Sequence, residues 1–262
     1  MKGRIAKIVK ENLVYIPIFI ILIATCWHFI NGFNTYDTYK MFDLGYETYA
    51  KSLFFADGRI FSGIYILIAN SFHIFQTDLH KISICICICI VAYTIIYFKN
   101  IIIKIYDKQI NIYLIYLLSF ITIFNFAYLD IMRFIEMPII ALSVLFYIIA
   151  AEEIVIKENN IKALIYLILA VFMYQGTINV FAIILLFLYM QKYKVLYIGN
   201  IKDLIKKSLI CIIPILMNFM FIKIYGKLFI HTDRISVKPN RVFNMIYKVI
   251  SDVLVYSKMR IT

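Results

Sequence analysis

The run LVYIPIFIILIATCWHFI, residues 13–30, holds eighteen residues without a Lys, Arg, Asp or Glu. A helix of about 20 apolar residues crosses a hydrocarbon core of about 30 Å, so this run has the length and chemistry of a span. Similar stretches follow at 60–76, 82–98, 110–127, 134–151, 163–173, 177–190 and 208–225. In lipid every backbone N–H and C=O must be satisfied internally, which leaves helices or closed barrels. A barrel strand alternates apolar and polar residues, and no stretch here does so for long. The sequence therefore predicts an all-α fold, a polytopic transmembrane helical bundle.

Composition points the same way. The chain is 63% apolar and 16% charged, whereas soluble domains are about half apolar. Its net charge of +12 comes from lysines that flank the apolar runs. No soluble domain gathers them into a basic face, so nucleic acid is not an expected partner and the lipid bilayer is. Cys26, Cys85, Cys87, Cys89 and Cys211 all lie inside apolar runs. They show neither a disulfide framework nor metal-site spacing, and they read as small hydrophobes. His28, His73, His80 and His231 are scattered. No cofactor follows from these residues, and a divalent metal stays open. The opening MKGRIAKIVKEN resembles the basic region of a signal peptide, but no small-residue cleavage site follows TCWHF, so an uncleaved first span is expected. Without a linker or long repeat, residues 1–262 read as a single membrane domain.

Charge asymmetry sets the expected orientation. Lys2, Arg4, Lys7 and Lys10 place the N-terminus in the cytoplasm and the following loop, 31–59, outside. If every candidate crossed, Lys99, Lys104 and Lys108 would lie outside, as would Lys192, Lys194, Lys202, Lys206 and Lys207. If 60–76 dips into the outer leaflet and returns, both clusters become cytoplasmic. Ser62, Asn70, Ser71 and His73 make it the least apolar candidate and suit that role. The rival keeps 60–76 as a span and fuses 163–190 into one tilted helix in place of two short ones broken at Gln175-Gly176.

The loop is acidic in a basic protein. FNTYDTYKMFDLGYETYAKSLFFADGR, residues 33–59, carries Asp37, Asp43, Glu47 and Asp57 against Lys40, Lys51 and Arg59. Its aromatic spacing predicts helices lying along the membrane surface. A second polar group, Asp130, Arg133 and Glu136, opens the run at 134–151. Arg133 and Glu136 are three apart and would share a helical face. The break at Tyr174, Gln175 and Gly176 is a third. All three fall on the outer side of the re-entrant topology.

Four motifs follow in order: ADGRIFSGIYILIANSF at 56–72, LDIMRFIEMPIIALSVLFYIIAA at 129–151, FMYQGTINVFAIILLF at 172–187 and IYGKLFIHTDR at 224–234. This arrangement resembles the bacterial Gtr-type glucosyltransferase II-like proteins, members of the GT-C class of membrane glycosyltransferases. Two departures stand out: Ile60 replaces the aromatic that often follows the Gly-Arg, and the chain is shorter than such enzymes usually are, as a fragment lacking the C-terminal part would be. The resemblance implies a GT-C-like bundle in the cytoplasmic membrane. It implies inverting transfer of a sugar, glucose by expectation, from a polyprenyl-phosphate-linked donor to a glycan acceptor on the outer face. Asp37, with Asp43 in reserve, is then the expected catalytic base. Arg59 and Arg133 would bind donor phosphate, Asp57 would stand beside them, Glu136 would orient Arg133, and Tyr174 and Gln175 would touch sugar hydroxyls. Two other functions fit parts of the pattern. One is an O-antigen or exopolysaccharide repeat-unit polymerase; the other is a transporter of lipid-linked sugars, against which the lack of an internal repeat speaks.

Overall fold

A computed structural model describes residues 15–30, 36–106, 111–124, 131–193 and 198–229. Among them the fold is helical, with no strand. Helices α1 (Tyr15–Ile30) and α2 (Tyr36–Tyr49) lead into a π-helical turn, Ala50–Phe55. Helices α3 (Ile60–Ser71), α4 (Gln76–Tyr106) and α5 (Ile112–Ile123) follow. The rest are α6 (Met137–Val155), α7 (Asn160–Met173), α8 (Ile178–Tyr193), α9 (Ile198–Ser208) and α10 (Ile212–Phe229). The chain divides into two compact units, 1–222 and 223–262, and only 223–229 of the second lie among the described residues. Asp130, the charged turn His231–Arg234 and the tail fall outside them.

Four stretches are long and apolar enough to cross a membrane: Gln76–Ile105, Met137–Val155, Gln175–Tyr193 and Ile201–Phe229. The apolar helices near the first, second, fourth and sixth candidates are shorter: Ile16–Trp27, Ile60–Ser71, Tyr113–Ile123 and Asn160–Met173. Helix α6 is the hub, packed against α4, α7 and α8. It can occupy the centre because it is apolar all round and carries small residues where neighbours approach. Ala141, Ala150 and Ala151 are fully buried, as are Ala163, Leu167 and Ala170 on α7. Lipid tails are as apolar as leucine, so helices in a bilayer associate through such close packing more than through hydrophobicity. Pro138 in the first turn of α6 suits a helix start, where its missing N–H costs nothing.

A smaller core sits over the beginning of the chain. Met41, Tyr49, Ala50, Phe54, Ile66, Ala69, Leu79 and Ile135 are buried together, and the Tyr46 hydroxyl donates to the Ile74 carbonyl at 2.6 Å. Helix α2 kinks at Gly45, and its Tyr39, Phe42 and Leu44 are exposed. The acidic stretch 36–55 is therefore helical and anchored from beneath, with part of its aromatic surface facing outward.

Ion pairs fix how the chain threads. Arg59, just before α3, pairs with Glu136 at the N-terminal end of α6. Lys104, near the end of α4, pairs with Glu152 at the other end of α6. Helix α3 has 12 residues, about 18 Å at 1.5 Å per residue, too short for a hydrocarbon core of about 30 Å. The segment 60–76 thus starts and ends at one end of the bundle, and α4 makes the crossing. At Gln175-Gly176 the chain breaks and turns back: Tyr174 is extended and Gln175–Thr177 form one 3₁₀ turn. Lys192 at the end of α8 then returns to the Val155 carbonyl, at 2.7 Å, and to Glu158, at 2.6 Å. The fused 163–190 helix does not form, and Lys104 and Lys192 share one end.

Candidate functional site

The turn Asp57-Gly58-Arg59 stands at the end of the bundle where α6 begins. Its backbone is held by the preceding π-helical turn: Asp57 N–H donates to Leu53 at 2.9 Å and Arg59 N–H to Phe54 at 2.8 Å. Gly58 has φ of 74°, the left-handed region that disfavours any residue with a Cβ. A Cβ there would also lie 2.7 Å from both polar atoms of the Asn218 side chain, so only glycine fits.

Arg59 Nη1 donates to Glu136 Oε1 at 3.2 Å, and Nη2 lies 3.8 Å from Asp57 Oδ2. Glu136 is buried, whereas the Asp57 side chain is half exposed. The guanidinium carbon sits 4.8 Å from the centre of the Tyr174 ring, in cation–π range. Arg59 Nε is enclosed without a hydrogen-bond partner among the described residues. The guanidinium is thus braced by one buried carboxylate and one ring, and a quarter of its side chain stays open. Planar donors held this way suit a bidentate anion such as phosphate.

The break between α7 and α8 closes the site from the other side. Gln175 Nε2 donates to the Asp57 carbonyl and to Asn218 Oδ1, the latter at 2.9 Å. Asn218 Nδ2 donates to the Gly58 carbonyl at 2.8 Å. Ser143 and Thr177 share a buried hydrogen bond of 2.9 Å that fixes the turn against α6, and Thr177 also donates to the Tyr174 carbonyl. Gly176 allows the Tyr174 ring to lie over the break, since a Cβ would approach it to 2.6 Å.

Of the sequence-derived candidates, Asp57, Arg59, Glu136, Tyr174 and Gln175 come together. Asp43 is exposed on α2 and is not among the residues joined at Arg59. Asp37 lies within α2, but its side chain is outside the described ones. Arg133 is exposed in a non-helical turn, residues 132–136, and Glu136 holds Arg59. Asn218 was not expected. Its signal is a lone amide inside the apolar run at 208–225.

At the opposite end, Glu152 and Glu153 are nearly enclosed at the foot of α6. Glu152 accepts from the Tyr97 hydroxyl, from Lys104 at 3.4 Å and from Lys157 at 3.3 Å; Lys157 also meets Glu153 at 2.7 Å. These carboxylates are matched by lysines and tie α4 to the α6–α7 hairpin. They read as a structural clasp, and no group of three or more His, Cys, Asp or Glu side chains suited to a metal occurs among the described residues.

No protein-family model, curated protein or solved structure matches the chain.

Proposed function

We propose that this chain is a membrane glycosyltransferase that moves a sugar, glucose by preference, from a polyprenyl phosphate to a lipid-linked or cell-surface glycan. Arg59 carries the reading: a guanidinium at one end of a transmembrane bundle, braced by Glu136, stacked on Tyr174 and still partly open. Fixed charge-assisted donors stabilise the negative charge that builds on a departing phosphate, and they need no reorganisation during the reaction.

In this reading the acceptor hydroxyl oxygen attacks the anomeric carbon from the face opposite the phosphate. The bond from that carbon to the phosphate oxygen breaks, and its electron pair leaves with polyprenyl phosphate held by Arg59. The hydroxyl proton passes to a carboxylate. That carboxylate belongs on the face away from Arg59, so Asp37, with the exposed Asp43 of α2 in reserve, takes this role, and Asp57, 3.8 Å from the Arg59 guanidinium, stands beside the departing phosphate. Tyr174 and Gln175 border the sugar. The site faces outward in the cytoplasmic membrane, with the N-terminus in the cytoplasm, a placement that the lysine distribution favours.

The test uses membranes containing the full chain, supplied with polyprenyl-phosphate glucose labelled in the sugar. Label should enter the glycan fraction with the wild type, and Asp37→Asn should lower the rate by about 10²–10⁴-fold, the usual contribution of a positioned base. Label that remains in the lipid donor, equally for wild type and Arg59→Ala, overturns the reading.

A further inference from the structure

Helix α9 meets the bundle with one side and leaves the other uncovered. At about 100° per residue, Asp203, Leu204, Lys207 and Ser208 fall on one half of it and are partly covered. On that half the Tyr189 hydroxyl donates to Asp203 at 3.0 Å, and Lys207 pairs with the same carboxylate at 3.0 Å, near the Tyr189 ring. The other half presents Ile201, Lys202, Ile205 and Lys206, all exposed, and Leu209 continues it. These residues form two stripes. Ile201, Ile205 and Leu209, spaced by four, make an apolar one; Lys202 and Lys206, also four apart, make a basic one beside it.

Three observations bear on what covers this face. The first is charge. Lys104, Lys157, Lys192 and Lys207 at this end each meet an acid within 3.4 Å. Lys202 and Lys206 meet none at ion-pair distance among the described residues; Lys206 acts on Asp203 only through space, and Lys207 already holds that carboxylate. The second is height. Helix α10 follows after one 3₁₀ turn, and its 18 residues, about 27 Å, nearly fill a hydrocarbon core of about 30 Å. Helix α9 then stands at the level of the headgroups. The third is the order of the stripes: an apolar edge that can sink into the acyl boundary lies next to lysines whose stems follow it while their ammonium groups reach phosphate. We infer that α9 is a docking surface for anionic phospholipid of the leaflet at this end, with a lipid phosphate between Lys202 and Lys206 and acyl chains along Ile201, Ile205 and Leu209. Under the proposed orientation that leaflet is the cytoplasmic one, whose anionic lipids attract basic segments. The surface lies at the opposite end of the bundle from Arg59 and does not depend on the reaction proposed there.

Native mass spectrometry of the purified full chain in detergent tests this, with phosphatidylglycerol and phosphatidylcholine of identical acyl chains as probes. Phosphatidylglycerol should bind about tenfold more tightly, since each lysine close to anionic lipid adds a few-fold. The double variant Lys202→Gln, Lys206→Gln should bring the two lipids to within about twofold of each other. Lys202→Arg with Lys206→Arg should keep the preference, and both double variants should melt with the wild type because neither lysine is tied to the fold. Lys81→Gln, which removes a lysine paired with Asp78 at the other end, should keep the preference too. Equal binding of both lipids by the wild type overturns the inference. So does an unaltered preference in the glutamine variant, or an equal loss in Lys81→Gln. Full displacement of phosphatidylglycerol by equimolar glycerol phosphate would assign the lysines to a free phosphate and overturn the lipid surface.

Discussion

Asn218 donates from Nδ2 to the carbonyl of Gly58, 160 positions earlier, at 2.8 Å. Its Oδ1 accepts from Gln175 at the same time, so one amide joins α10, the Asp57-Gly58-Arg59 turn and the α7–α8 break. Asn218 is buried, and Asn218→Leu would strand two polar groups at about 1–3 kcal/mol each. The purified variant should melt several degrees below wild type. Gly58→Ala should be destabilised too, by about 1 kcal/mol or more, because its φ and the nearby Asn218 side chain both oppose a Cβ. Melting curves that match wild type for both variants would show that the joint is idle.

Two arginines at this end differ sharply. Arg59 is seated on Glu136 and Tyr174, whereas Arg133 is exposed in a turn. Lysine keeps the charge but loses the planar fork. Arg59→Lys should therefore raise the KM for a polyprenyl-phosphate sugar by about tenfold or more, a cost near 1.4 kcal/mol. Arg133→Lys should change it little. Steady-state kinetics over donor concentration separate the two, and a larger effect at Arg133 would move the phosphate site.

The clasp at the other end makes a different demand. Glu152 is enclosed and accepts from Tyr97, Lys104 and Lys157, so Glu152→Ala leaves Tyr97 and Lys104 without this acceptor and Lys157 with Glu153 alone. Both lysines are about half exposed and can rehydrate, which places the loss below the 3–5 kcal/mol of a fully buried pair, at about 1–3 kcal/mol. Tyr97→Phe should cost about 1 kcal/mol. Denaturation in a mild detergent measures both, and the order Glu152→Ala below Tyr97→Phe below wild type is expected.

Glu158 adds a pH dependence. A hydrogen bond from Lys192, and then that residue's charge, holds its carboxyl below the ordinary value of about 4.3. A lowered folded value means that the pair's contribution is fully present above the ordinary value and fades as pH falls through the lowered one. The melting difference between wild type and Glu158→Gln should be constant from neutral pH down to about 5, then close below about 4. A difference that grows on acidification contradicts the pairing.

Threading is open to a labelling test. After replacement of the native cysteines, Asp57→Cys and Glu158→Cys place thiols at exposed sites on opposite ends of the bundle. An impermeant maleimide should label Asp57→Cys in intact cells and Glu158→Cys only in opened ones. Equal labelling of both in intact cells would exclude the arrangement in which 60–76 returns to its starting side.

Much of this architecture is legible in local sequence, because apolar length and lysine placement act through a single solvent, the bilayer. The short, polar-flecked 60–76 and the Gln175-Gly176 break both register as departures from a full span, and both matter in the fold. What escapes a local reading depends on partners far along the chain. Glu136 looks paired locally, yet the turn at 132–136 is not helical and Arg59, 77 positions away, reaches the carboxylate. Asn218 looks like a tolerated polar residue until Gly58 and Gln175 arrive beside it. Glu152 and Glu153 follow an apolar run as if they merely ended it, and Lys104, 48 positions from Glu152, joins the nearby Lys157 in offsetting their enclosure.

The clasp also constrains how the protein is made. Lys104, Lys157, Lys192 and Lys207 are each matched by an acid from the set Glu152, Glu153, Glu158 and Asp203, so four positive charges meet four negative ones and cancel. In the finished fold these lysines offer the membrane little net charge. During biosynthesis Lys104 emerges long before Glu152, unpaired, and acids count for little in setting orientation. Lys104 thus acts on orientation while still bare, whereas Lys157, Lys192 and Lys207 each emerge after the acid they pair with.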